Sequence, residues 1–118
     1  MALLANVLIV LIALLHVYFL ILEMFLWDKP KGLKVFGQSL ETAVASKTLA
    51  MNQGLYNGFL AAGLVWGLSL GEAGDSIKVF FLACVLIAGI FGGLTATRKI
   101  LFVQALPAAV ALALLLFT

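Results

Sequence analysis

The chain is poor in charge: it carries seven Lys and Arg and five Asp and Glu in 118 residues, well under half the share found in ordinary soluble domains. That scarcity excludes a soluble globular protein of average composition. Cysteine occurs once, at Cys84, which excludes an internal disulfide and a cysteine metal set and leaves the redox compartment open. Histidine also occurs once, at His16, with no second nitrogen, thiolate or paired carboxylate at metal-ligand spacing, so no cofactor is assigned. A Gly-rich phosphate loop and a nucleophile elbow are both missing. The basic residues are confined to short connections and the net charge is only +2, which argues against a nucleic-acid surface. Lysines interleaved with apolar residues suit lipid headgroups better.

What the chain has instead is apolar length: 65% of its residues are hydrophobic and the mean hydropathy is +1.25. Four stretches stand out, 2–27, 49–70, 77–97 and 100–117, each close to or above the ~20 residues that cross a bilayer as a helix. The prediction is an all-α polytopic membrane protein, a single domain over 1–118 built as a four-helix transmembrane bundle. The first stretch has no basic leader and is too long for a signal peptide, so it is read as a retained first helix. Lys29, Lys31, Lys34 and Lys47 fall in the first connection and Arg98 and Lys99 in the third. Placing positive loops inside puts both connections in the cytoplasm and both termini outside.

The first connection is long for so small a protein. Pro30 and Gly32 stop the first helix just after Trp27, an aromatic at the expected level of the interface. Leu33, Phe36, Leu40 and Val44 then recur at helical spacing with lysines off the stripe, the pattern of a surface-lying amphipathic segment or of a plain connecting turn. Ser39 is the expected N-cap of a helix running through Thr48 into the second span. In that span Gly54 and Gly58 mark one smooth face, and Gly63, Gly67 and Gly71 another. Gly89 and Gly93 form a ridge in the third span. Such ridges allow close backbone approach, so the second span is expected to pack on both sides.

The polar residues gather toward one end. Glu23 lies roughly 6–8 Å inside the cytoplasmic end of the first span, and Asn52, Gln53, Tyr56 and Asn57 fall within the first ~12 Å of the second. Thr95, Thr97 and Gln104 lie on the same side, whereas the outer half offers little beyond Asn6 and Ser69. Pro107 frees the carbonyl four residues earlier and is expected to bend the last helix near Gln104. These residues form either a polar pocket open toward the cytoplasm or inner leaflet, or a hydrogen-bond network that only holds the helices together. Glu23 is the sharpest of them, because an acidic residue in a span costs about 2.5–3.5 kcal/mol unless protonated, paired or hydrated. His16, Leu20, Glu23 and Trp27 follow i, i+4, i+7, i+11 on one face. Glu23 and His16 are the acid/base candidates, with Asn52, Gln53, Asn57, Gln104 and Arg98 as polar binders and Tyr56 and Trp27 as walls. If Glu23 is structural, its expected partner is Asn52, Gln53, Gln104 or Arg98.

The segments His16-Val17-Tyr18, Leu22 to Trp27, Asn52 to Leu64 and Leu101 to Ala108 together resemble a family of small bacterial integral membrane proteins, domain of unknown function 1304. This resemblance covers nearly the whole chain, implies the bacterial inner membrane, and brings no activity with it. A more distant likeness is to the membrane-associated eicosanoid and glutathione metabolism superfamily, which implies four spans, outer or lumenal termini, a long first cytoplasmic loop and trimers. Its site uses an Arg and a Glu around an Asn at the start of the second helix. Asn52 matches the Asn, while Met51, Gln53, Leu55 and Tyr56 stand nearby where the Arg and Glu are lacking.

The leading expectation is a homo-oligomer, dimer or trimer, in the lipid bilayer, whose polar pocket binds or converts a small amphiphilic or lipid-like molecule. The alternatives are a small proton-coupled multidrug-type exporter, with Glu23 as the single membrane-embedded carboxylate of its first helix, and a non-catalytic structural subunit. Whether the protein is an enzyme is left open.

Overall fold

Apolar runs free of interior proline favour long helices, and the computed structural model, which describes residues 2–117, is all-helical, with no strand among the described residues. Its elements are α1 (Ala2–Met24), α2 (Pro30–Phe36), α3 (Leu40–Ser69), a 3₁₀ turn (Gly71–Gly74), α4 (Asp75–Thr95), a π turn (Leu101–Ala105) and α5 (Leu106–Leu116). Residues 1 and 118, which the single-domain expectation includes, lie outside the described residues. Two helical segments are long and apolar enough to cross a membrane, Ala2–Met24 and Gly71–Thr95, and Leu101–Leu116 is a shorter apolar segment. Helix α3, at 30 residues, exceeds both in length but not in hydropathy, because its middle carries Asn52, Gln53 and Asn57.

Three boundaries differ from the sequence expectation. The first helix ends at Met24, before Trp27. Its last hydrogen bonds run on as Phe25 N–H to Ile21 O at 3.0 Å and a forked Leu26 N–H to Ile21 O and Leu22 O at 3.2 and 3.3 Å. Pro30 then opens α2 at the first helical position, where its missing N–H costs nothing. Trp27 therefore sits in the turn and not on the face of α1. The stripe of Leu33, Phe36, Leu40 and Val44 is also cut in two by Gly37, which caps α2 in the left-handed region at φ 61°. Beyond it the inward residue of α3 is Ala43, fully buried, while Leu40 and Val44 are exposed. The Ser39 cap is present, with the Thr42 N–H donating to Ser39 Oγ at 3.2 Å.

The chain falls into two units. One is built from α1 up to Leu14 together with everything from Leu60 onward, and the other is Leu15–Phe59. In the first, Ile9, Ile12, Ala13, Leu64, Leu82, Val85, Ala108 and Ala111 make the core. The glycine ridges work there as close approaches. A methyl group on Gly67 would lie 2.8 Å from Lys78 Cγ, and one on Gly89 would lie 2.8 Å from the backbone nitrogen of Ala105. Pro107 acts as expected on the helix before it. The chain takes up the irregularity as a π turn, closed by the Leu106 N–H to Leu101 O.

In the Leu15–Phe59 unit the second half of α1 packs on the first half of α3 through Gly54 and Gly58. A methyl on Gly54 would stand 2.6 Å from Met24 Cγ and 3.1 Å from Glu23 Cβ, and one on Gly58 would stand 2.7 Å from Leu20 Cδ1. The turn after α1 is fastened to α3 twice. Trp27 Nε1 donates to Ser46 Oγ at 3.2 Å, and Lys47 Nζ meets Asp28 Oδ2 at 3.0 Å.

Candidate functional site

The close approach at Gly54 and Gly58 brings Glu23 of α1 to Asn57 of α3. The Asn57 Nδ2–H donates to Glu23 Oε1 at 2.5 Å, and Glu23 is only 9% exposed. A carboxylate has acceptor room for several donors; apart from Asn57, none is recorded for Glu23. Its partner is thus Asn57, where the sequence had suggested Asn52, Gln53, Gln104 or Arg98. The glycines on either side of Asn57 explain the choice, since they let this turn of α3 approach α1 most closely.

The other candidates are placed as follows. His16 is fully buried, seven residues before Glu23, with its ring edge-on to Phe19 at 5.8 Å. Trp27 is half-buried and its ring lies 4.8 Å from that of Phe36. Asn52, Gln53 and Tyr56 are exposed on α3. In the other unit, Gln104 Nε2 donates to the Val85 carbonyl at 3.1 Å, bridging the π turn to α4 beside the Gly89 contact, and Arg98 is exposed in the connection after α4. No group of three or more His, Cys, Asp or Glu side chains that could hold a metal ion occurs among the described residues.

A second polar centre was not foreseen. Lys78, one turn into apolar helix α4, is only 2% exposed. Its ammonium donates to Asn6 Oδ1 at 3.1 Å, to the Gly71 carbonyl at 3.3 Å and to Asp75 Oδ1 at 3.2 Å. Beside it opens a cavity of about 520 Å³ lined by Ala2, Asn6, Gly71, Glu72, Asp75, Lys78 and Leu115. In the sequence Lys78 looked like an ordinary loop charge. The available signal was the i, i+3 spacing from Asp75 at a helix start, together with an isolated Asn6 in an apolar run.

A model of the family described as Protein of unknown function (DUF1304) matches residues 10–116. The chain belongs to this family. The DUF1304 match takes in Glu23, Asn57 and Lys78, while Asn6 lies before it. The chain is also similar to a protein of Lactococcus lactis subsp. lactis (strain IL1403) named Uncharacterized protein YpaA. That protein is 31% identical over 106 residues, spanning 88% of this chain and 89% of the relative. No solved structure matches the DUF1304 chain.

Proposed function

We propose that this DUF1304 chain is a four-span protein of the bacterial inner membrane, with termini outside and the lysine-rich first connection in the cytoplasm. It assembles as a homo-oligomer and binds a small amphiphilic or lipid-like molecule at the Glu23–Asn57 pair. The observation that carries this reading is a buried carboxylate held by a single amide within otherwise apolar helices. Structural polar groups in hydrocarbon are normally saturated by their neighbours, and acceptor capacity left over at an intramembrane carboxylate marks a place for a ligand hydroxyl, amide or amine. Asn52, Gln53 and Tyr56 are exposed on the same helix and supply polar surface for a headgroup or a second copy.

The test is native mass spectrometry of protein released from mild detergent, comparing the unsubstituted chain with Glu23→Gln. A retained small molecule that disappears in Glu23→Gln, at unchanged thermal stability, is the expected result. An identical ligand profile in both proteins would sink the reading. The exporter alternative is favoured by the same feature, one buried carboxylate on the first helix. It predicts substrate-driven proton release from the purified protein that is lost in Glu23→Gln.

A further inference from the structure

The segment from Phe25 to Lys47 carries the largest imbalance of charge in the chain, and the fold disposes of part of it. Lys47 is paired with Asp28, and the Lys47 hydrogen bond holds the Asp28 carboxyl below its usual range, so this pair is internally neutral near pH 7. Lys29, Lys31 and Lys34 are exposed and have no recorded partner. The only other acid of the segment is Glu41. These lysines stand on a short but firmly seated platform. Gly32 is buried against the Leu26 carbonyl, where any Cβ would collide with it. Phe36 packs on Trp27, and Trp27 is bonded to α3 through Ser46. With Gly32 fixed inward, Lys31, Lys34 and Val35 are left on the open side, flanked by exposed Phe25 and Phe36. Fixed ammonium groups interleaved with exposed apolar side chains match the headgroup level of a bilayer, where apolar groups enter the acyl boundary and lysines reach phosphates.

We propose that α2 and the turn before it form a docking surface for anionic phospholipid headgroups of the cytoplasmic leaflet, held by Lys29, Lys31 and Lys34. This rests on the membrane reading above but not on the Glu23 site. Charge complementarity selects the occupant: three unpaired ammonium groups favour a headgroup with net negative charge over a zwitterionic one.

The chain provides its own reporter, because Trp27 lies two residues from Lys29. With Trp66→Phe, Trp27 becomes the sole tryptophan. The reconstituted protein is titrated with chain-brominated phosphatidylglycerol or chain-brominated phosphatidylcholine in phosphatidylcholine bilayers. Trp27 quenching should show a several-fold higher relative association constant for the anionic lipid at low salt, falling toward equality at high ionic strength. Combined Lys29→Gln, Lys31→Gln and Lys34→Gln should abolish the preference. The charge-neutral double change Asp28→Asn with Lys47→Gln should leave it intact. Equal quenching by both lipids in the Trp66→Phe protein would overturn the proposal, as would a preference that survives the triple change. Absence of quenching by either lipid, at Trp27 and at Trp66 in the converse Trp27→Phe protein, would overturn the membrane reading as well.

Discussion

Glu23 and Lys78 are both ionisable groups buried in apolar helices, yet their surroundings differ in kind. The Lys78 ammonium has three protons and gives each to an acceptor: an amide, a carbonyl and a carboxylate. The Glu23 carboxylate accepts from one amide and has capacity to spare. A saturated buried charge ties elements together, whereas an unsaturated one is available to something else. Burial alone does not separate structural from functional charge; the tally of partners does.

The comparison is broken most directly at Lys78. Lys78→Met leaves Asn6, the Gly71 carbonyl and Asp75 without their shared donor, and should destabilise the protein by about 3 kcal/mol, read as a lowered unfolding midpoint in detergent. A loss below ~1 kcal/mol would remove the structural assignment of Lys78. Next come the glycines that bring each group to its partners. A methyl at Gly89 meets the backbone of Ala105, which cannot turn aside, so Gly89→Ala should cost about 2 kcal/mol. The only atom near a methyl at Gly58 is the end of the Leu20 side chain, and Gly58→Ala should cost less than ~1 kcal/mol. Equal effects would mean that both approaches are equally tight.

Glu23 itself should behave in the opposite way to Lys78. Glu23→Gln keeps an acceptor for Asn57 and removes a desolvated charge, so thermal stability should change by less than ~1 kcal/mol while ligand retention is lost. If Glu23→Gln destabilises the chain as much as Lys78→Met, the carboxylate is structural after all.

The smallest effect belongs to the exposed Asp28–Lys47 pair. Because the folded-state pKa of Asp28 is lowered by the Lys47 hydrogen bond, its contribution is present above the unfolded value near ~3.9. It is lost as pH falls through the folded value. The small difference in unfolding temperature between the unsubstituted chain and Lys47→Gln should therefore vanish in acid, and a difference that grows there would contradict the pairing.

Much of the architecture could be read from single residues whose chemistry leaves few options. Ser39 caps α3 because its hydroxyl is suited to a free N–H, the glycine ridges lie where helices touch, and Pro107 disturbs the turn before it. The misread features depend on long-range partners. The end of α1 at Met24 is set by how the Pro30 helix seats Gly32 on Leu26, a contact between segments that periodicity does not register. The role of Lys78 depends on Asn6, 72 residues away. Within the candidate site, the importance of Glu23 was legible from its cost in an apolar run. Its choice of Asn57 over Asn52 and Gln53 was not, because all three amides lie within two turns of one helix and only the packing at Gly54 and Gly58 separates them.

The π turn before Pro107 fits one more residue into a turn than an α-helix allows, and so it sets the phase of everything after it. Removing one residue from Leu101–Ala105 would let the chain regain an ordinary period and rotate α5 by about 100°. Ala108 and Ala111, both fully buried, would swing out of the core and larger neighbours would swing in. This stretch should therefore tolerate substitution far better than insertion or deletion. A one-residue deletion paired with a compensating insertion just before Ala108 should recover folding that the deletion alone destroys.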